Sequence, residues 1–273
     1  NMSTSIAKIF QIIGNRDLTI VRRSSLEKLN SAFRWFGLKE IIANLDGSDV
    51  SEFLSLLDSS KSQFLQDLFV LSVLGVKQGG YFVEFGATDG ETFSNTHMLE
   101  KKLGWDGLVC EPSRQYHGAL EACRTVSKDY RCVTDESGNE IKFIEFVGSG
   151  LSNAFAANTF WGKISGLFNG HRARTYSVET ISLTDLLESH GAPKDLDYLS
   201  IDVEGSEYAI LKGFRWDLYT FSVITVEHNF SEQRASIYDL LVSKGYIRVL
   251  EDISFVDDWY ILESLPRLTK NNS

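Results

Sequence analysis

The chain has 273 residues, 43% of them hydrophobic and 23% charged, which excludes a disordered or collagen-like polymer and leaves one large α/β domain or two small ones. With 27 Lys and Arg against 37 Asp and Glu, the formal charge is −10, which disfavours broad binding to a nucleic-acid backbone. No apolar run reaches the ~18 residues of a membrane span; the first residues lack a secretory layout, and the odd set Cys110, Cys123 and Cys132, with no CxxC pair, reads as reduced thiols of a cytoplasmic protein without structural zinc.

Residues 1–75 are predicted to be a helical extension. Leu26, Leu29, Phe33, Phe36 and Leu38 recur at near-helical spacing, a second helix starts near Ser51, and a third runs from Ser62 to Leu74 and stops at Gly75. This unmatched section is a candidate contact surface for a second copy. From Tyr81 the period shortens. Strands are predicted at 81–85, 107–111, 130–134, 196–202 and 221–227, with helices at 93–103, 113–123, 206–211 and 233–244 between or after them. Residues 141–147 alternate apolar and polar after the turn 135–139, as a hairpin-like excursion would. Residues 246–250 and 254–262 close the chain as an antiparallel pair, and Trp259 there reads as packing. Strands alternating with helices in this order give an α/β fold, a mostly parallel sheet with helices on both faces, over residues 76–265; residues 266–273 are a tail. Ligands of such sheets sit beyond the carboxyl ends of the strands, so the residues just after each strand carry the function.

After the first strand comes Glu84-Phe85-Gly86-Ala87-Thr88-Asp89-Gly90. It is neither GxGxxG nor a phosphate loop. An acid at its head repels a pyrophosphate and attracts an ammonium, which favours S-adenosylmethionine over a dinucleotide. The second strand ends in Glu111-Pro112, where a carboxylate can accept both hydroxyls of a ribose, and the third leads into Asp135, placed to accept from an adenine amino group. The fourth and fifth deliver Asp202-Val203-Glu204 and Glu227-His228-Asn229. Asp202, Glu227 and Asn229 resemble the hard-oxygen ligands of Mg²⁺ or Mn²⁺, with His228 as a further ligand or a general base. His97 and His171 are reserve bases.

The run Tyr81 to Gly90 with Phe93-Ser94-Asn95-Thr96, then Cys110-Glu111-Pro112, Ser200 to Glu207 and Val226 to Asn229, resembles the FkbM family of S-adenosylmethionine-dependent methyltransferases over about residues 62–262. The resemblance implies a Rossmann-like, seven-stranded class I methyltransferase domain and O-methylation of a sugar hydroxyl on a glycan, nucleotide sugar or secondary metabolite. With it, the cofactor contacts are expected at Glu84, Gly86, Ala87, Thr88, Asp89, Gly90, Ser94, Asn95, Thr96, Glu111, Pro112 and Asp202, beside the Asp135 read from its place after the third strand. Catalytic roles fall to His228, Asp202 and Glu204, and a metal would take Asp202, Glu227 and His228. Thr88 stands where class I loops often carry glycine. The long aperiodic stretch 148–175 is a candidate lid or substrate loop, and its Lys163, Arg172 and Arg174 would receive an acceptor's phosphate or carboxylate. Gln63, Gln66 and Asp67 are within reach of the acceptor from the N-terminal helices. Two competing readings are a nicotinamide dehydrogenase, which lacks its loop and hydride-handling set here, and a non-catalytic cofactor-binding module, in which the strand-end acids would have been lost.

Overall fold

The computed structural model describes residues 36–43, 45, 49–146, 152–154, 173–203 and 205–265. Residues 36–43 are helical, followed by α1 (Val50–Leu56) and α2 (Gln66–Leu74). In α2 every residue from Gln66 to Val73 is buried, as a helix apolar on all sides requires, so it fills the interior rather than lying on the surface. The chain continues through β1 (Tyr81–Phe85), α3 (His97–Leu103), β2 (Asp106–Cys110), α4 (His117–Cys123) and β3 (Ser127–Asp129). An excursion follows: β4 (Cys132–Thr134), β5 (Glu140–Phe146), β6 (Ser152–Ala154) and β7 (Ala173–Ser182). The last section is α5 (Leu183–Ser189), β8 (Asp195–Ile201), α6 (Glu207–Gly213), β9 (Thr220–Glu227), α7 (Gln233–Ser243), β10 (Tyr246–Val249), α8 (Glu251–Ser254) and β11 (Asp257–Leu262).

Seven strands form one sheet in the order β10-β11-β9-β8-β1-β2-β3, and β11 alone runs against its neighbours. Successive residues of each strand face opposite sides, so the strands supply two cores. Val83, Leu199 and Ile224 pack under α5, α6 and α7; Phe82, Tyr198, Val223 and Trp259 pack under α2 and α3. Trp259 stacks on Phe69 at 4.5 Å, the packing role expected for it. Ile41 and Phe53 join the second core, which anchors the preceding helical section to the sheet. The order switches between β1 and β8, and both strands point their carboxyl ends at the same crevice.

Several elements differ from the sequence reading. The expected strand 130–134 is shorter and lies elsewhere: β3, just before it, closes the edge of the main sheet, and only 132–134 form a strand, β4, which pairs with β7 in a second sheet of order β4-β7-β5-β6. Helix α3 begins at His97, not Phe93, because residues 94–96 are tied to Glu84. The supposed aperiodic stretch has strands at both margins, 152–154 on β5 and 173–175 in β7; His171, Lys163 and Arg172 lie outside the described residues, as does Glu204. Cys110, Cys123 and Cys132 are free thiols, as read. Among the described residues no helix is long and apolar enough to cross a membrane.

Candidate active site

Gly86 turns the chain out of β1 at φ +77°, and a Cβ there would lie 2.3 Å from the Asp202 carbonyl oxygen. Only glycine lets this loop press against the end of β8. The loop's amides do not point at the crevice. Gly86 and Ala87 both donate to the Cys110 carbonyl at 3.1 and 3.2 Å, and Thr88 donates to Glu111 Oε2 at 2.8 Å. Thr88 reaches that oxygen at φ +44°, a conformation that costs a β-branched residue more than the glycine common there. Asp89 is spent on its own turn, accepting from the Glu91 and Thr92 amides and the Thr92 hydroxyl.

Glu84 corrects the sequence reading. Its buried carboxylate accepts from the Ser94 hydroxyl, the Asn95 amide at 2.6 Å and the Thr96 hydroxyl at 2.6 Å, and Arg124 Nη1 lies 3.3 Å away. Arg124, itself buried, also binds Glu100 and the Thr96 hydroxyl. The acid that was expected to meet an ammonium is saturated by protein, and it shapes the 94–96 loop together with Ser94 and Thr96. That loop leaves Asn95 at the crevice: its Nδ2 donates to Ser200, while its Oδ1 is buried without a hydrogen-bond partner.

Glu111 lies just beyond β2, with oxygens not fully used by the protein. Ser113 N donates to Oε1 at 2.7 Å and Thr88 N to Oε2 at 2.8 Å, so each oxygen retains a second lone pair. Burial pushes its carboxyl up to about 7. It opens onto a hollow bounded by Phe85, Gly86, Pro112, Val133, Phe143 and Asp202. A pair of ring hydroxyls would find two oriented acceptors there, and a flat base would find apolar walls; the donor set fits an adenosine. Asp135 is not part of this wall. It lies exposed beyond β4, its backbone against Gly213, because β4 left the main sheet.

A second recess also bordered by Asp202 is lined by Gln66, Asn95, Ser200, Thr225, Glu227 and Asp257, with Gln63, Phe64 and Phe93. Asp202 borders both. Its side chain meets solvent in the opening, but protein crowds it; that desolvation and the charge of Glu84 raise its carboxyl, against a hydrogen bond with Glu227. Asp257, held by Gln66 Nε2 at 2.7 Å, is pushed to about 7 by burial. Gln63 and Gln66 thus reach the recess from before β1, whereas Asp67 is consumed by Ser60, Ser62 and the Leu68 amide.

His228 is the second correction. The Asn229 and Phe230 backbones turn at φ +43° and +55°, folding the ring back so that Nδ1 accepts from Phe230 N at 2.9 Å and Nε2 faces Asp258 at 3.7 Å. Burial lowers its pKa to about 4. It lines neither hollow, and Asp202, Glu227 and His228 do not converge as a metal triad; among the described residues the compact donor group is Glu91, His97 and Cys123, elsewhere. Asn229 is exposed and outside the recess. Arg174 lies exposed on β7, 3.9 Å from Glu145. Two residues of consequence had no sequence signal. Arg124 follows an ordinary amphipathic helix, and Asp257 sits at the start of a strand rather than after one.

An open sheet of this order, with an acid after β2 and a second acid after β8 sharing one crevice, is the class I methyltransferase arrangement. Residues 84–258 match the Methyltransferase FkbM domain, more than half the chain, and the protein belongs to that family of S-adenosylmethionine-dependent methyltransferases. No curated protein sequence matches it at a significant level. Among solved structures, the chain is similar to the FkbM methyltransferase of Methylobacillus flagellatus KT, at 13% identity over 82% of this chain and 58% of that one, with TM-score 0.43. It is also similar to the precorrin-6y C5,15-methyltransferase of Geobacter metallireducens GS-15, at 14% identity over 71% and 84%, with TM-score 0.36. A fibrillarin/Nop5p complex matches at 14% identity over 67% and 70%, with TM-score 0.29.

Proposed function

We propose that this methyltransferase alkylates a hydroxyl oxygen of a small-molecule acceptor, and that Asp202 stands at the junction of donor and acceptor. The observation that carries this reading is that one side chain borders both hollows, the Glu111 side and the polar recess with Asn95, Glu227 and Asp257. Glu111 would hold the ribose hydroxyls of S-adenosylmethionine, and the partnerless Asn95 Oδ1 would accept from its ammonium. When bound, that cofactor supplies a methyl group on a good leaving group, a sulfonium. The acceptor oxygen forms the new C–O bond as the C–S bond breaks, the electron pair staying on sulfur, and its proton passes to a carboxylate of the recess.

Raised pKa values suit that last step, since a carboxylate titrating near neutrality is a better base than one in the ordinary range. The sign is fixed: the base must be ionised, so activity rises with pH through the raised values of Asp202 and Asp257. A metal-assisted version has one observation in its favour, the adjacency of Asp202 and Glu227, which would give Mg²⁺ or Mn²⁺ two oxygens without His228. Labelled-methyl transfer over a panel of alcohols, with Asp202→Asn beside wild type, tests the reading. Turnover should fall at least ~100-fold while S-adenosylhomocysteine affinity stays within about threefold; equal turnover would refute it. Full activity in excess EDTA would remove the metal version alone.

A further inference from the structure

The two most exposed large apolar side chains among the described residues are Phe93 at 64% and Phe230 at 54%; Phe93 lines the polar recess, and Phe230 joins it through the rings of Phe255 and Phe64. Phe93 and Phe64 line it; Phe64 lies 5.2 Å from Phe255, and Phe255 lies 6.0 Å from Phe230. Phe64, Phe255 and Phe230 therefore form a connected run of rings, and Phe93 adds a further ring to the same carboxylate-lined recess. Three of the four, Phe93, Phe230 and Phe255, hold positive backbone φ angles of +61°, +55° and +61°. An exposed ring on a strained backbone is disfavoured twice by stability alone, and such strain concentrates where a ligand is gripped.

We propose that this aromatic rim determines acceptor specificity, by seating the apolar face of a ring body while its hydroxyl descends to Asp202 and Glu227. The substrate class is an uncharged hydroxylated compound with an apolar or aromatic ring. The chemistry of the recess argues the same way. Among the described residues that line it, the charged ones are Asp202, Glu227 and Asp257, and none is Lys or Arg, so a phosphate carried by the acceptor would be repelled. This rests on the acceptor assignment made above.

The test uses the full chain saturated with S-adenosylhomocysteine and three probes: phenyl β-D-glucoside, glucose and glucose 1-phosphate, with affinities read by saturation-transfer NMR titration. Phenyl glucoside should bind about tenfold tighter than glucose, the scale of one or two aromatic contacts, and glucose 1-phosphate weakest. Phe93→Asn and Phe230→Asn keep a residue tolerant of positive φ. Together they should erase the phenyl advantage while leaving glucose binding and S-adenosylhomocysteine binding unchanged. Equal binding of the three probes, tightest binding of the phosphate, or a variant that keeps the phenyl advantage would overturn the proposal. So would a variant whose only effects are a lower Tm or an altered oligomeric mass, which would make the rim a seat for the chain itself or a second copy. Failure of wild type to bind S-adenosylhomocysteine would instead strike the donor assignment.

Discussion

Replacing Glu111 by Gln separates what holds the loop from what holds the ligand. At pH 8 the wild-type carboxylate is ionised, since its pKa is about 7. Its two oxygens each take one amide, from Ser113 and Thr88, and each has one lone pair left for a ribose hydroxyl. An amide side chain keeps one acceptor and turns an NH₂ toward one of those two backbone donors. One ligand hydrogen bond is lost and the other loses its charge; at roughly 1.5–3 kcal/mol for each charge-assisted bond, the loss is about 2–4 kcal/mol, or roughly 30- to 1,000-fold in Kd. The unliganded fold moves less, because removing a buried charge offsets part of the ~1–3 kcal/mol for the facing donors. The pH dependence gives an independent check. An acid whose folded pKa lies above its ordinary 4.5 contributes stability that is full below that value and is lost as pH rises toward about 7. In the proposed role the ionised form is also the one that would accept from the ligand, so wild-type S-adenosylhomocysteine binding should tighten from pH 6 to pH 8. Calorimetric titration of both proteins at both pH values reads all of this. A variant Kd within about threefold of wild type at pH 8, or a variant that keeps the wild-type pH slope, would refute the ribose role.

Gly86→Ala sets a methyl 2.3 Å from the Asp202 carbonyl at φ +77°; a penalty of about 2–3 kcal/mol should lower Tm by roughly 5–10 °C and abolish the thermal shift given by S-adenosylhomocysteine. Glu84→Gln leaves buried Arg124 short of one counter-charge, so unfolding stability should fall by about 3 kcal/mol, whereas cofactor affinity of the folded protein should change less than about threefold; a tenfold or larger loss would restore the direct ammonium contact. His228→Asn should lower Tm but leave kcat and the pH–activity midpoint in place, since the imidazole faces Phe230 N and Asp258; a shifted midpoint would return it to the chemistry.

What could be read in advance follows from what is local. Apolar runs ending in acids located β1, β2, β8 and β9, and with them Glu111, Asp202 and Glu227, because strand burial and strand-end position are written in neighbouring residues. Which acids stay available was not local. Glu84 and Glu111 look alike at the ends of adjacent strands, yet only Glu84 meets Arg124, which comes from the far end of α4. His228 looked like a ligand until two left-handed residues turned it away. The 130–134 run was misplaced because the edge of the main sheet is closed by residues 127–129 just before it, while 132–134 pair with Thr180, Ile181 and Ser182 of β7, far along the chain. Asp257 was hidden for a similar reason: β11 runs backwards, so the start of that strand, not its end, meets the crevice.

The acid wall formed by Asp202 and Glu227 has a consequence for exchange after each turnover. Before transfer, the donor would bring a positive sulfur to these carboxylates; afterwards a neutral thioether remains, and the attraction that favoured it is gone. The reaction itself would thus loosen the grip on the spent nucleoside and give an incoming charged one the advantage. On this reading, the donor's advantage in affinity over the spent nucleoside should widen as the wall becomes more fully ionised.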